Sequence, residues 1–80
     1  MHAVLVNADK VIMEEIANPE MTRDSVALTY AFCLRQRPPG HDSYGEINRA
    51  IMARWSPSAL DYIQRRAWRM YAEWAKERAA

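Results

Sequence analysis

The stretch SPSALDYIQRRAWRMYAEWAKER, residues 56–78, decides how this chain folds. Ser56 is a helix N-cap and Pro57 occupies the first helical position, where its missing N–H costs nothing and its fixed φ is already helical. No helix breaker follows within the stretch. Leu60, Ile63, Ala67, Met70 and Trp74 recur at alternating steps of three and four, a single apolar seam over two heptads. Two heptads are too few for a coiled coil, but they suffice for a long amphipathic helix running to about Arg78.

Upstream, breakers at Asn18-Pro19, Arg37-Pro38-Pro39-Gly40 and Ser56-Pro57 divide the chain, and helical spacing fills the intervals. Ser43-Tyr44-Gly45-Glu46 is an S-x-x-E capping box, and Ile47, Ala50, Ile51 and Arg54 or Trp55 follow as a helix of about three turns. Before it, Thr22 caps a helix with Asp24 in its first turn and Arg35 and Arg37 at its end, each charge suited to the helix dipole. Val26, Tyr30, Cys33 and Leu34 form its apolar stripe, with Leu28 and Phe32 flanking. Pro38 ends it.

The first segment has two readings. Val4-Leu5-Val6 and Val11-Ile12-Met13 can be strands about a turn at Asn7–Lys10. Alternatively, Asn7 or Asp9 caps a helix to about Ala17 with Val11, Ile12 and Ile16 as its stripe, which the propensities of Met13, Glu14 and Glu15 favour. The expected fold is all-α: a small bundle of three helices plus this N-terminal element, helix-turn-helix-like around residues 44–78. Residues 1–80 form a single domain, with 1–20 as an extension or short added element.

At 80 residues there is room for one core only. The composition, 50% hydrophobic and 26% charged with two Gly, is that of a folded globular protein. No apolar run approaches the ~20 residues of a membrane span, and Ala3–Val6 is too short for a signal-peptide core. One cysteine excludes an internal disulfide and, with no signal, suggests the cytoplasm. Without a disulfide or metal, a domain this small leans on close helix packing or on self-association, so a homodimer is an expected arrangement.

Catalytic groups are sparse. His41-Asp42 beside Ser43 or Cys33 suggests a general base and nucleophile, but sequence adjacency does not create triad geometry, and the plain reading is a loop histidine before a helix cap. Cys33, on an apolar stripe, reads as a small buried hydrophobe. Glu14-Glu15 reads as a solvated helix face. Two His and one Cys far apart do not make a metal site. An enzyme is the least expected class, and no cofactor is expected.

Charge is more informative than catalytic chemistry. Residues 1–42 carry a net −2 and residues 43–80 a net +3. Between Arg49 and Ala72 there are five Arg, no Lys, and Asp61 as the one acid. Arg65, Arg66 and Arg69 lie opposite the apolar seam, and Arg makes bidentate contacts to carboxylate or phosphate. Asp61 with Arg65, and Arg69 with Glu73, are spaced for i,i+4 ion pairs. Trp55, Tyr62, Trp68, Tyr71 and Trp74 are interleaved with these arginines, a mixture typical of binding hot spots. One helix face cannot bury all five.

Thr22-Arg23-Asp24-Ser25-Val26-Ala27, Ile47-Asn48-Arg49-Ala50-Ile51 and Arg54-Trp55-Ser56-Pro57-Ser58-Ala59-Leu60, with Ala67-Trp68 downstream, resemble short uncharacterised helical proteins of bacteriophages and prophages. The resemblance spans Met21–Trp68 and carries no catalytic residues. It implies a protein that binds and inhibits or redirects a host protein, or a small DNA-binding regulator. It also implies that Met1–Glu20 extends a frame with an alternative start at Met21.

The expected function is therefore protein–protein contact with a host or phage protein through Tyr62, Arg65, Arg66, Trp68 and Arg69. Leu60, Ile63, Ala67 and Trp74 serve as core or dimer seam. The alternative is a helix-turn-helix-like regulator that sets Arg65, Arg66 and Arg69 on nucleic acid, against which stands a net charge of only +1.

Overall fold

A computed structural model describes residues 8–36 and 43–79. It contains α1 (Ala8–Ala17), α2 (Arg23–Gln36), α3 (Ser43–Arg54) and α4 (Pro57–Ala79), with no strand among the described residues. The N-terminal element is a full helix, so the bundle has four helices rather than three and an undecided segment. The burial pattern gives the reason. Ala8, Ile12 and Ile16 are all buried while Lys10 and Glu14, which would share their face in a strand, are exposed, a pattern that fits a helix and not a strand. Val11-Ile12-Met13, the candidate return strand, lies within α1. Residues 1–7, including His2 and Val4-Leu5-Val6, lie outside the described residues. So do 37–42, which include His41 and Asp42, and the side chain of Ser43.

Local chemistry places the ends. The Ser25 N–H donates to Thr22 Oγ1 at 3.1 Å and the Ala59 N–H to Ser56 Oγ at 3.1 Å, so both expected N-caps form. Between α1 and α2 the Met21 N–H donates to the Asn18 carbonyl at 3.0 Å, closing a turn with Pro19 at its second position. The Asn18 side chain accepts the Glu20 N–H at 3.0 Å.

The helices pack in a closed circuit, α1 on α2, α2 on α4, α4 on α3 and α3 on α1, with α2 against α4 as the principal contact. At one end Asp24 of α2 meets Tyr62 and Arg66 of α4; towards the other, Phe32 and Arg35 meet Trp74. These two helices therefore run in the same direction. The small residues Ala27, Ala31, Ala59 and Ala67 are all buried, which suits a close approach of the two backbones. The 23 residues of α4, ~34 Å at 1.5 Å each, account for most of the 38 Å length of the molecule.

Ile12, Val26, Cys33, Ile47, Ile51 and Ile63 are the largest fully enclosed side chains. The expected α2 stripe of Val26, Tyr30, Cys33 and Leu34 is buried throughout, whereas Leu28 and Phe32 are exposed. On α4, Ile63 and Ala67 are enclosed, Leu60, Met70 and Trp74 are partly buried, and Ala59 joins the inner face unforeseen. A polar link crosses the interior: the Tyr30 hydroxyl donates to Asn48 Oδ1 at 2.8 Å and accepts from Gln64 Nε2 at 3.1 Å, tying α2, α3 and α4. No helix among the described residues is long and apolar enough to cross a membrane.

Arg54 holds the α1 end of the bundle. Its Nη1 donates to the carbonyls of Ile16 and Asn18, both at 2.7 Å, and its Nη2 to those of Pro19 at 3.1 Å and Met21 at 3.3 Å. The guanidinium also lies 4.4 Å from the Trp55 ring centroid. The last turn of α1 has no basic residue of its own, so α3 supplies the cation and the donors that a helix C-terminus needs. Arg54→Ala is expected to destabilise the fold by about 2–3 kcal/mol, the scale of several charge-assisted hydrogen bonds lost at a half-buried site. Arg49→Ala, on the exposed face of α3, should stay within about 0.5 kcal/mol of the parent. Urea unfolding of both variants checks this, and equal midpoints would remove the role given to Arg54.

Candidate interaction surface

Four of the five candidate contact residues line one groove on α4, and Trp68 stands at its margin, three residues on from Arg65. Ser58, Asp61, Tyr62, Arg65, Arg66 and Arg69 line one shallow groove of about 350 Å³. Trp68 is not part of it. Six residues beyond Tyr62 is about 600° of helical rotation, which puts Trp68 ~120° round the axis. There it packs edge-on to Tyr71 with ring centroids 5.5 Å apart and remains 42% exposed.

Tyr62 and Arg66 have intramolecular roles that the sequence did not reveal. The Tyr62 hydroxyl donates to Asp24 Oδ1 at 2.6 Å, and Arg66 Nε lies 3.2 Å from the same oxygen. The guanidinium carbons of Arg23 and Arg66 lie 5.6 and 5.8 Å from the Tyr62 ring centroid, so the phenol is flanked by two cations. Its hydrogen bond to the Asp24 carboxylate, which requires the proton to stay on oxygen, is the main cause of a phenol pKa raised above the ordinary 10.0.

Five arginines that look equivalent in the sequence meet different fates. Arg54 is engaged by carbonyls. Arg65 Nε donates to Asp61 Oδ2 at 3.0 Å, its Nη2 reaching the same oxygen, so the expected i,i+4 pair forms. Arg66 pairs with Asp24 rather than with a neighbour on its own helix. Arg69 does not pair with Glu73 as the spacing predicted, and among the described residues neither Arg69 nor Arg49 has an ion-pair partner. The paired arginines and their aspartates are well exposed, so these contacts are weak and exchangeable.

Further along the α2–α4 edge, Phe32 stacks on Trp74 at 5.1 Å, and Arg35 lies 5.0 Å from the Trp74 centroid and 5.9 Å from that of Phe32. Leu28 at 43% and Phe32 at 42% remain exposed here, as does Tyr62 at 40%. Their appearance as a flanking stripe was the available signal, but which edge they joined depended on α4.

Cys33 is enclosed, and burial pushes its thiol up to about 11, with the Glu15 carboxylate adding to the shift. Glu14 is solvated as expected. Glu15 is not: it is half-buried, and its Oε1 is enclosed without a hydrogen-bond partner. The wall of α2 against which α1 packs explains the difference between these neighbours. No group of three or more His, Cys, Asp or Glu among the described residues is arranged to hold a metal ion.

No protein-family profile, curated protein or solved structure matches this chain.

Two titrations check these assignments. Replacing Asp24 with Asn should lower the Tyr62 phenol pKa towards 10, read by carbon NMR at the ring Cζ. The Tyr62–Asp24 contact supports the fold through neutral pH and is lost as pH rises through the raised phenol value. A Tyr62 titration that ignores Asp24→Asn would refute the contact. For Cys33, a thiol near 11 rather than 9.0 has about a hundredfold less thiolate at pH 8. Iodoacetamide should therefore alkylate the folded protein at least about a hundredfold more slowly than the urea-unfolded chain. Equal rates would show the thiol to be accessible.

Proposed function

We propose that this chain is a non-enzymatic binding protein that acts by protein–protein contact through α4 and the adjoining edge of α2. The observation that carries this reading is the exposure of Leu28, Phe32, Tyr62 and Trp68, each 40–43% open, beside the arginines of α4. A small fold gains little stability from leaving four large side chains outside its core. Aromatic and arginine side chains together are the composition that interface hot spots favour. The buried, proton-holding thiol of Cys33 also speaks against nucleophilic catalysis. Its single free thiol suits a reducing cytoplasm, and the resemblance to phage and prophage proteins favours a host or phage protein as the partner. A second copy of the chain is the remaining protein occupant.

A second reading is favoured by α3 packing against α4 across the two-residue turn Trp55-Ser56, with Arg65 and Arg69 exposed. That arrangement is helix-turn-helix-like and suits a DNA-binding regulator. Arg54, Arg65 and Arg66 are already engaged within the chain, which leaves fewer free cations for phosphate.

Affinity capture from a host-cell lysate, with and without nuclease, separates the two. One stoichiometric protein that survives nuclease supports protein contact, and Trp68→Ala should abolish its capture while circular dichroism keeps the parental helicity. Loss of helicity would instead assign Trp68 to the fold. Capture that disappears with nuclease, falls steeply with salt and is eliminated by Arg65→Glu would overturn the protein-contact reading in favour of DNA.

A further inference from the structure

We infer that the groove on α4 takes an acidic amphipathic segment of a protein partner, whose carboxylates meet Arg65, Arg66 and Arg69 while its apolar side chains lie on Leu28 and Phe32. This rests on the protein-contact reading above and names the chemistry of the partner. The groove already shows what its arginines accept. Arg65 holds the Asp61 carboxylate and Arg66 holds that of Asp24, both at exposed positions. An incoming carboxylate can replace either at little cost, because exposed pairs are worth little. Arg69, on the same groove wall, has no ion-pair partner among the described residues and offers a complete planar fork.

The neighbouring surface selects protein over nucleic acid. Leu28 follows Asp24 by one helical turn and Phe32 by two, so these side chains continue the groove along the α2 edge. From Asp24 to Phe32 is about 12 Å of helix rise, a length matched by two to three turns of a docked helix. An apolar strip beside an arginine row matches an amphipathic helix with acidic flanks, not a phosphate backbone. The lining itself combines three Arg with Asp61, and Asp24 lies beside it. Carboxylates among the cations weaken the field that would draw a continuous polyanion, while the exposed pairs can still exchange for individual carboxylates.

The test uses the full chain labelled with nitrogen-15 and carbon-13, and three probes. One is a synthetic helical peptide with a Leu stripe flanked by Glu, the second its Glu→Gln counterpart, and the third a duplex DNA. The Glu peptide is expected to shift the Nε–H signals of Arg65, Arg66 and Arg69 together with the Leu28 methyls, and the Gln peptide to leave them in place. Arg69→Glu should weaken the Glu peptide about tenfold, and Arg49→Glu, on α3 outside the groove, should not. Equal binding of both peptides, no shift at the three arginines, or DNA displacing the Glu peptide from them would each overturn the inference. Failure here is distinguishable from failure of the broader reading. A nuclease-resistant partner still captured by Arg69→Glu rejects the acidic segment and leaves protein contact standing, whereas capture lost to nuclease rejects both.

Discussion

The contact of α2 with α4 is the constraint on which the rest of the bundle depends. Two helices that lie side by side and run in the same direction cannot be joined by a short turn. The chain must go back between them, and α3 makes that return. α1 then closes the remaining side, packing on α2 and α3. Close approach of α2 and α4 suits the alanines of both inner faces, where larger side chains would hold the backbones apart. The same approach brings Asp24 to Tyr62 and Arg66, and Phe32 and Arg35 to Trp74, so the surface edge is a product of the core contact.

Arginine illustrates how burial and geometry override composition. In the sequence, Arg54 belongs to the same basic stretch as Arg65, Arg66 and Arg69. In the fold it faces four backbone carbonyls and, among the described residues, pairs with no carboxylate. Its planar fork can address several acceptors at once, which a lysine cannot do in the same way. This changes the electrostatics of the surface as well as the stability of the fold. The positive field of the second half of the chain is smaller than its formal charge suggests, since Arg54 is directed inward and Arg66 faces Asp24 of the first half. Such a surface is better suited to selective contact with separate carboxylates than to long-range attraction of a polyanion.

The exposed aromatic and aliphatic side chains lie beside a core that is otherwise well enclosed. The enclosed interior consists mainly of isoleucine, valine and alanine with Tyr30 and Tyr44, while the tryptophans, Tyr62 and Tyr71 stand at its margins. Branched aliphatic side chains fill the space between helices, and larger rings with arginines supply the outer edge. Trp68, at 42% exposure, can therefore be truncated without opening the core.

The sequence by itself determined the helices and most of their ends. Thr22 and Ser56 cap as read, Pro57 opens α4, and the stripe of Val26, Tyr30, Cys33 and Leu34 is the buried face of α2. These are local properties, set within a turn or two of the chain by hydrogen bonding and helical periodicity. The element before Asn18 was not settled locally, because a ten-residue helix is marginal without a partner, and its helical form draws on Ile12 and Ile16 packing into the core. Only the tertiary structure decided that Arg54 caps α1, that Arg66 finds Asp24 rather than a neighbour on α4, and that Trp68 stands at the margin of the arginine groove. The first two join residues more than thirty positions apart, and the third depends on how α4 is seated; all three are fixed by which faces the packed helices bring together, a relation that short-range periodicity does not contain.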